Sequence, residues 1–490
     1  MNSFTQLSIF LQSHAQMYRL SAKVAGLLKQ KVLACFFAFF AIGSAIQGTL
    51  VKLLLSLFTL FSLLCANFAH ANLLNIAPET VEAQAWSIMD AQSGQIIAEH
   101  NSHAQRAPAS LTKMMVAYIT LKEIQAGKLH KEDVLTATPV VSTVMWDESQ
   151  MYLKAGEQIS IDQLLAGLIV MSANDAALTL AEKISGGVPQ FVARMNQEAQ
   201  ALGMKDTHFS NPAGITMSDH YSTAADLSLL ASAIVKTTPD YLHYSKMPSF
   251  SYNQRFHHAT NLALKMDPTA DGLKTGYTKA AGYNLALTAA RLVDPTQPLT
   301  QRRLIVVVLG TASAAKRAEV AQKLMNLAYS YTRDEEVIPK QHLIAELPVI
   351  KSTLKMFRVE TQQPTIVTTS LYNQPTTIDL NNFDLATQRL QVMDINQQIQ
   401  TIEPLQSTNT HVNIELNEQR LTAPLMQAMN LATVSIYQNN QLIRSLQIEN
   451  DVHIEEANIV QKILLWFSSL FSVFSSNDIK AAKLYPLNQG

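Results

Sequence analysis

The sequence predicts an α+β domain, in which an antiparallel sheet packs against helices, followed by a small all-β domain and a C-terminal amphipathic helix. Apolar residues recur at helical spacing in several segments between residues 111 and 227, and apolar runs joined by short turns follow between residues 272 and 309. This order is typical of a sheet packed against a helical cluster. After residue 337 the chain is rich in Thr, Val, Ile, Gln and Asn and poor in helix signals, which indicates a separate β domain.

These patterns divide the chain into five segments. A leader or signal peptide covers residues 1–71, and the α+β domain covers 72–336. The β domain covers 337–452, the amphipathic helix covers 453–476, and a polar tail covers 477–490.

The leader contains two apolar runs, at residues 32–46 and 53–66, each preceded by lysine. The second run is short for a membrane-spanning helix and is followed by Ala69-His70-Ala71, a small-x-small pattern typical of signal-peptide cleavage. We therefore predict a secretory signal, with the mature chain starting near Asn72. The long front of the leader fits a start codon assigned too early, and an uncleaved hydrophobic hairpin or anchor is the alternative.

Charge and cysteine content restrict the function classes. The formal net charge is −1 and no basic block is present, so we expect no nucleic-acid partner. The only cysteines, Cys35 and Cys65, lie in the leader, so a cleaved chain would have no disulfide and no cysteine metal site. We find no metal or nucleotide motif and expect no cofactor.

A hairpin predicted at residues 86–99 leads into the first helix of the domain. Apolar residues recur at helical spacing up to Gly127, which suits a left-handed cap, so Ser110 lies in the first turn and Lys113 on the same face. A serine hydroxyl is a poor nucleophile until a base takes its proton. A lysine becomes such a base when burial, a helix N-terminus or a second cation lowers its pKa.

The middle of the domain is helical with one polar interruption. An apolar helix at 161–171 breaks at Ser172-Ala173-Asn174-Asp175 and resumes at 176–184, a pattern that presents a buried loop inside a helical layer. The polar stretch at 134–153 before it is expected to be rich in strands. The remaining elements are predicted as helices at 191–202, from 221 and at 318–331, and as antiparallel strands at 272–276, 282–288 and 304–309.

Residues 459–474 form an apolar helical face that includes Trp466 and Phe467, opposite a narrow polar face. The apolar stretch is too short to span a bilayer, and aromatic residues on an amphipathic helix suit an anchor lying in the plane of the membrane. A helix packed on the β domain is the alternative interpretation.

Three short motifs carry the chemistry: Ser110-x-x-Lys113, Ser172-x-Asn174 and Lys274-Thr275-Gly276. Each alone is common, because serine and asparagine often cap helices and a strand lysine is often solvated. In this order, at a helix start, an interhelical loop and a strand, they indicate one serine acyl-transfer site.

With these motifs the chain resembles low-molecular-mass penicillin-binding proteins, the D-alanyl-D-alanine carboxypeptidases of the penicillin-binding-protein 5/6 type. The resemblance covers the mature chain, including Ala281-Gly282-Tyr283-Asn284-Leu285, the β domain and the amphipathic tail. It implies a penicillin-binding/β-lactamase-like transpeptidase fold. Two positions depart from the commonest form: Ala173 stands where glycine is frequent, and Tyr277 stands where histidine is frequent. These departures concern rate or substrate preference more than the reaction class.

The resemblance implies a catalytic role for four residues acting on a peptidoglycan stem peptide that ends in D-Ala-D-Ala. Ser110 would attack the penultimate D-Ala carbonyl, with Lys113 as the general base. Ser172 would pass a proton to the leaving D-Ala nitrogen, and Asn174 would hold the substrate amide and the lysine. β-Lactam antibiotics would acylate Ser110. The implied location is the periplasmic face of the bacterial inner membrane, with peripheral anchoring.

The resemblance also implies the substrate-binding residues. Lys274 and Thr275 would bind the terminal carboxylate, and Gly276 would let the substrate backbone lie against its strand. The backbone N–H groups of Ser110 and Tyr277 would form the oxyanion hole. Arg317 is a candidate second cation for the carboxylate, and an exposed surface arginine is the alternative.

Three other functions use the same motifs or scaffold. A β-lactamase needs a carboxylate that activates water, and no E-x-x-x-N loop lies between Asn174 and Lys274, where Glu182 and Glu198 fall on predicted helices. A D,D-endopeptidase that cuts cross-links uses the same site and stays open. A non-catalytic peptidoglycan-binding morphogenetic protein is disfavoured by the intact motifs.

Overall fold

The computed structural model describes residues 72–292, 301–373, 377–393, 398–450, 452–472 and 482–485, with side chains of 467–472 excepted. The predicted leader, its cleavage site and the two leader cysteines lie outside the described residues. Among the described residues, no helix is long and apolar enough to cross a membrane.

The helices and strands follow the predicted order of a helical cluster and then a sheet. The α-helices are α1 Lys113–Gln125, α2 Ile161–Ala166, α3 Asn174–Ser185, α4 Val188–Ala201, α5 Ala224–Thr237, α6 Tyr241–Ser245, α7 Ala263–Met266, α8 Ala314–Tyr331 and α9 Ile459–Ser472. The strands of the first half are β1 Ala85–Asp90, β2 Ile96–His100, β3 Val134–Thr136, β4 Gln158–Ser160, β5 Ser249–Tyr252, β6 Arg255–His258, β7 Ala270–Thr278, β8 Gly282–Leu292 and β9 Gln301–Thr311.

The strands of the second half are short and closely spaced. They are β10 Thr332–Ile338, β11 Leu343–Ile350, β12 Met356–Glu360, β13 Thr365–Ser370, β14 Phe383–Asp384, β15 Arg389–Met393, β16 Ile399–Ile402, β17 Thr410–Leu416, β18 Leu421–Thr422, β19 Asn430–Gln438, β20 Gln441–Glu449 and β21 Lys483–Leu484. The predicted domain boundary at 336/337 falls inside strand β10. The predicted polar tail contributes strand β21, which pairs with β11.

A five-stranded antiparallel sheet in the order β2-β1-β9-β8-β7 organises the first half. Its register pairs Ile88 with Val306 and Lys274 with Ala286. One face packs against α1 to α6, and the other packs against α8. Strand β7, which carries the Lys-Thr-Gly motif, lies at one edge of this sheet.

The Ser-x-Asn interruption arises from a change of helical geometry. Helix α2 ends at Ala166 and continues as one π-helical turn, Gly167–Met171, before Ser172 adopts a left-handed conformation with φ of 62°. Such π-turns are frequent at functional sites because they displace the following residues from the regular helical path. The chain then re-enters α3 at Asn174, so the motif lies at a junction between two helices.

The stretch at 134–153 is not rich in strands, so that prediction was wrong. Only Val134–Thr136 pairs, with Gln158–Ser160, and a 3₁₀ turn follows at Pro139–Thr143. The Asp175 carboxylate accepts hydrogen bonds from the backbone N–H groups of Met151 and Leu153, at 3.0 and 2.9 Å. A buried carboxylate therefore satisfies backbone donors that a strand ladder would otherwise bind.

The second half shares a hydrophobic core with the first. Ile378, Phe383 and Leu390 pack in one cluster with Trp86 of β1 and Tyr331 of α8. The Tyr331 hydroxyl donates to the Ile402 carbonyl and accepts from the Leu390 N–H. The segment around β14 to β16 thus completes the side of the sheet that α8 covers only in part.

A buried charge cluster lies at the same junction. The Arg302 guanidinium is 2.8 Å from an Asp90 oxygen and 3.1 Å from an Asp334 oxygen. Burial raises the pKa of Asp334, and the nearby Asp90 carboxylate raises it further, while Arg302 opposes the shift. The single positive charge of Arg302 can balance only one of the two carboxylates. Asp334 therefore keeps its proton in the folded chain at pH values where an exposed aspartate has already lost it.

We predict that Asp334→Asn changes how stability depends on pH. The folded chain keeps a proton on Asp334 that the unfolded chain releases near pH 4, so this group lowers the free energy of unfolding as pH rises towards neutrality. The carboxamide removes that dependence, so the variant should gain about 1–2 kcal/mol over the wild type between pH 5 and pH 8. Urea denaturation at both pH values measures the gain, with Glu418→Gln on an exposed turn as the control, and an equal difference at both pH values would contradict the assignment.

Candidate active site

The Ser110 turn is held against the sheet by a buried asparagine. Ala109–Thr112 form a 3₁₀ turn that leads directly into α1. The Asn284 Nδ2 atom donates to the carbonyls of Ala107 and Pro108, at 3.1 and 3.3 Å, and its Oδ1 atom accepts from the Gly310 N–H. These bonds fix the backbone just before Ser110, because a fully buried amide side chain has no water to exchange partners with.

Two glycines make room for this turn. A Cβ atom on Gly276 would lie 3.0 Å from both the Pro108 carbonyl oxygen and the Ser110 nitrogen. A Cβ atom on Gly214, where φ is 83°, would collide with the Ala109 carbonyl. The glycine of the Lys-Thr-Gly motif therefore lets strand β7 approach the Ser110 turn closely.

The Lys113 amine lies beside the Ser110 hydroxyl, with 3.2 Å between Nζ and Oγ. The amine also donates to the Ala213 carbonyl, and the whole side chain is buried. Burial lowers the pKa of Lys113 to about 7, although the negative charges of Glu148 and Asp175 act in the opposite direction. A large fraction of this amine is therefore uncharged at neutral pH.

Lys274 and Ser172 meet on the other side of the cleft. The Lys274 amine donates to the Ser172 Oγ atom and to the Thr275 carbonyl, each at 3.0 Å. Burial lowers the pKa of Lys274 well below its usual value, and the charges of Lys113 and Arg317 lower it further. The neutral form of this amine is therefore favoured much more strongly than in an exposed lysine.

One acidic residue of the site, Glu148, does not follow from the sequence patterns. The Asn174 Nδ2 atom donates to the carboxylate of Glu148, and the Asn174 N–H donates to the Ser149 carbonyl at 2.7 Å. Asp175, the next residue, fixes the same loop from the other side. Nothing in the local sequence around Glu148 indicates this, because the contact depends on the fold of the loop.

Arg317 is buried, so its interpretation as an exposed surface arginine was wrong. Its guanidinium donates to the Gly276 carbonyl at 3.2 Å and to the Thr260 carbonyl at 3.0 Å, and lies over the Tyr283 ring. Burial lowers the pKa of Arg317 to about 10. The Thr275 hydroxyl hydrogen-bonds to the Thr260 hydroxyl, so the cation lies behind the strand that carries the motif.

Tyr277 directly follows the motif on strand β7. The residue is 53% exposed, and its ring packs at a tilt against the Tyr283 ring, with 4.3 Å between the ring centroids. The structure therefore brings the three motifs together at one site, with Tyr277 next to Gly276 on β7 and Arg317 packed behind that strand.

The site has a serine beside one buried lysine and a second buried lysine nearby. This arrangement is typical of serine acyl-transfer enzymes that use lysine instead of histidine as the base. The D-alanyl-D-alanine carboxypeptidase model of peptidase family S11 matches residues 72–313, and the chain belongs to this family. It is a low-molecular-mass penicillin-binding protein of the 5/6 type, a serine-type hydrolase that acts in peptidoglycan metabolism.

Individual relatives extend the match. D-alanyl-D-alanine carboxypeptidase DacD of Escherichia coli (strain K12) is 39% identical over 54% of this chain and 67% of its own length. DacC of the same organism is 28% identical over 84% of this chain and 96% of its own. The crystal structure of penicillin-binding protein 5 from Haemophilus influenzae has a TM-score of 0.64 at 27% identity, and the match covers 78% of this chain and 100% of that one. The predicted transpeptidase fold class is confirmed.

We predict that Gly276→Ala slows acylation by labelled penicillin by about 100-fold at pH 8, because the added methyl group pushes the Ser110 turn away from the strand. Stopped-flow or quench labelling measures the rate. Gly187→Ala is the matched control, since its added methyl group meets only the flexible Gln190 side chain. Equal rates for the two variants would show that the close approach has no catalytic consequence.

Proposed function

We propose that Ser110 is the nucleophile and Lys113 its general base, and that the substrate is a peptidoglycan stem pentapeptide from which the terminal D-alanine is removed. The observation that carries the proposal is the distance of 3.2 Å between Ser110 Oγ and an amine that is fully buried. An amine with a pKa of about 7 accepts a proton at neutral pH without being too weak a base.

The chemical steps follow from these positions. The Ser110 oxygen bonds to the penultimate D-Ala carbonyl carbon as Lys113 takes the hydroxyl proton. The C–N bond then breaks, and the leaving D-Ala nitrogen receives a proton through the Ser172 hydroxyl. Water attacks the resulting ester, and proton transfer back to the Ser110 oxygen releases the shortened peptide and the free enzyme.

The Lys274 amine binds the terminal carboxylate together with the Thr275 hydroxyl. A carboxylate next to Lys274 raises the pKa of that amine. Binding of the substrate therefore favours the charged form of Lys274, and this form binds the carboxylate most strongly. Arg317 supplies a second positive charge from behind the strand, 3.2 Å from the Gly276 carbonyl. The charge of Lys113 lowers the pKa of Lys274, so protonation of one amine disfavours protonation of the other.

The stem peptide lies along the free edge of β7. Among the described strands, β7 has a partner on one side only, so its outer N–H and C=O groups suit an extended peptide. The N–H groups of Ser110 and Tyr277 hold the carbonyl oxygen as it becomes negative. Asn174, whose Nδ2 atom donates to Glu148, positions the amide of the substrate from the opposite wall.

The protein acts at the periplasmic face of the inner membrane, after secretion, and α9 attaches it to the surface. Among its described side chains, Ile459, Val460, Ile463 and Trp466 are all at least 50% exposed. Asn458 and Gln461 form a reciprocal cap that begins this helix. Exposed aliphatic and aromatic side chains on a capped helix suit insertion into the headgroup region.

We expect labelled penicillin to acylate the mature protein, with Ser110→Ala and Lys113→Arg both abolishing the label, because a guanidinium does not release its proton near neutrality. Below pH 7 the wild-type acylation rate should fall about tenfold per pH unit as Lys113 becomes charged. Gel fluorescence against time and pH measures both effects.

The same preparation decides between the related activities. D-Alanine release from a stem pentapeptide, without comparable nitrocefin turnover, is the expected result. Rapid nitrocefin turnover that Glu148→Gln abolishes would instead favour a β-lactamase, with Glu148 activating the water.

We predict that deleting the residues after Asn458 moves the mature protein from the membrane to the soluble fraction. The double variant Ile463→Glu, Leu464→Glu should do the same, since it places charge on the exposed apolar surface of α9. Fractionation with blotting measures the distribution, and Lys462→Gln on the same helix is the control. Retention of both altered proteins at the membrane would indicate another anchor, such as the leader.

A further inference from the structure

A buried histidine, His220, lies behind the Ser110–Lys113 turn and has no part in the steps above. Its ring is 1% exposed, its Nδ1 atom accepts from the Ser210 N–H at 2.9 Å, and its Nε2 atom is 2.8 Å from the Thr112 hydroxyl. Because a backbone N–H donates to Nδ1, that nitrogen carries no proton, and the neutral ring donates from Nε2 to Thr112.

The two partners of this ring belong to the two segments that surround the Lys113 amine. Thr112 lies between Ser110 and Lys113 in the catalytic turn. Ser210 begins the loop that supplies the Ala213 carbonyl, the other acceptor of that amine. Within this loop, Asn211 Oδ1 accepts from the Gly214 N–H at 2.7 Å, and this bond ties the two ends of the loop together.

The charged groups around the ring favour its neutral form. Burial lowers the pKa of His220 to about 4, the Asp219 carboxylate acts in the opposite direction, and any positive charge on the neighbouring His208 or Lys113 side chain adds to the lowering. The ring therefore keeps both hydrogen bonds over the whole pH range in which Lys113 changes charge.

We propose that His220 is a positioning residue for acylation: it fixes the distance between the catalytic turn and the 210–214 loop, and so keeps the Lys113 amine dry and within reach of Ser110. This rests on the proposed role of Lys113 as the base. Removal of the ring lets the two segments separate and water enter, so the amine regains hydration and holds its proton more tightly.

Three variants separate the two hydrogen bonds. An asparagine oxygen occupies the place of Nδ1 and a glutamine nitrogen that of Nε2, so His220→Asn keeps the Ser210 bond and His220→Gln keeps the Thr112 bond. Thr112→Val removes the hydroxyl partner with little change in shape. Exposed His243, on the short helix α6, provides the control His243→Asn.

The measurement is the rate of acylation by labelled penicillin between pH 5 and pH 10 on the mature protein. In the plot of acylation rate against pH, we expect the rise on the acidic side (the acid limb) to lie about one pH unit higher for His220→Asn than for the wild type. The variant should be about fivefold slower at pH 7 and should reach the wild-type rate at pH 9. Thr112→Val should move the limb in the same direction, and the double variant should be no worse than His220→Asn alone, because both changes remove one shared bond.

A limb that stays in place in all His220 and Thr112 variants, even with a lower melting temperature, would overturn the proposal and leave His220 as a core residue. This outcome differs from failure of the proposed function, in which Lys113→Arg would still be acylated. If His220→Asn does not fold, His220→Gln and Thr112→Val carry the same test.

Discussion

The structure depends on keeping one lysine amine out of water next to a serine hydroxyl. An ammonium group is strongly hydrated, so its burial is unfavourable unless the proton leaves or a counter-charge arrives. Here the amine of Lys113 has a carbonyl, that of Ala213, and the Ser110 hydroxyl as its neighbours. The surrounding chain opposes hydration through close backbone packing at Gly214 and Gly276, where any side chain would force the segments apart.

Three basic side chains lie buried at this site. Lys113, Lys274 and Arg317 all have lowered pKa values, chiefly through burial, and no carboxylate pairs directly with either lysine in the described chain. An anion placed beside these groups would raise their pKa values and so offset the cost of burying their charge. Buried basic groups of this kind favour anions over neutral groups.

The three motifs of this site can be predicted from the sequence, whereas the hydrogen bonds that position them cannot. The three motifs, the Gly127 cap and the antiparallel strands follow from local spacing, and the structure has them as expected. The supports do not follow from spacing, because Asn284 binds carbonyls 177 and 176 residues away and His220 binds Thr112 across 108 residues. The strands predicted around Glu148 are absent from the described loop for the same reason. Its backbone N–H groups are bound by the Asp175 side chain, which belongs to helix α3 and not to a neighbouring strand.

The shared core beneath α8 has a consequence for how the polypeptide is made. Strand β1 pairs with β9, and the cluster around Trp86 also needs Phe383 and Leu390. A nascent chain on the ribosome therefore carries an unpaired strand and uncovered apolar surface until most of its length has emerged. Chaperones that cover these segments would suit a protein whose first strand pairs with a strand synthesised much later.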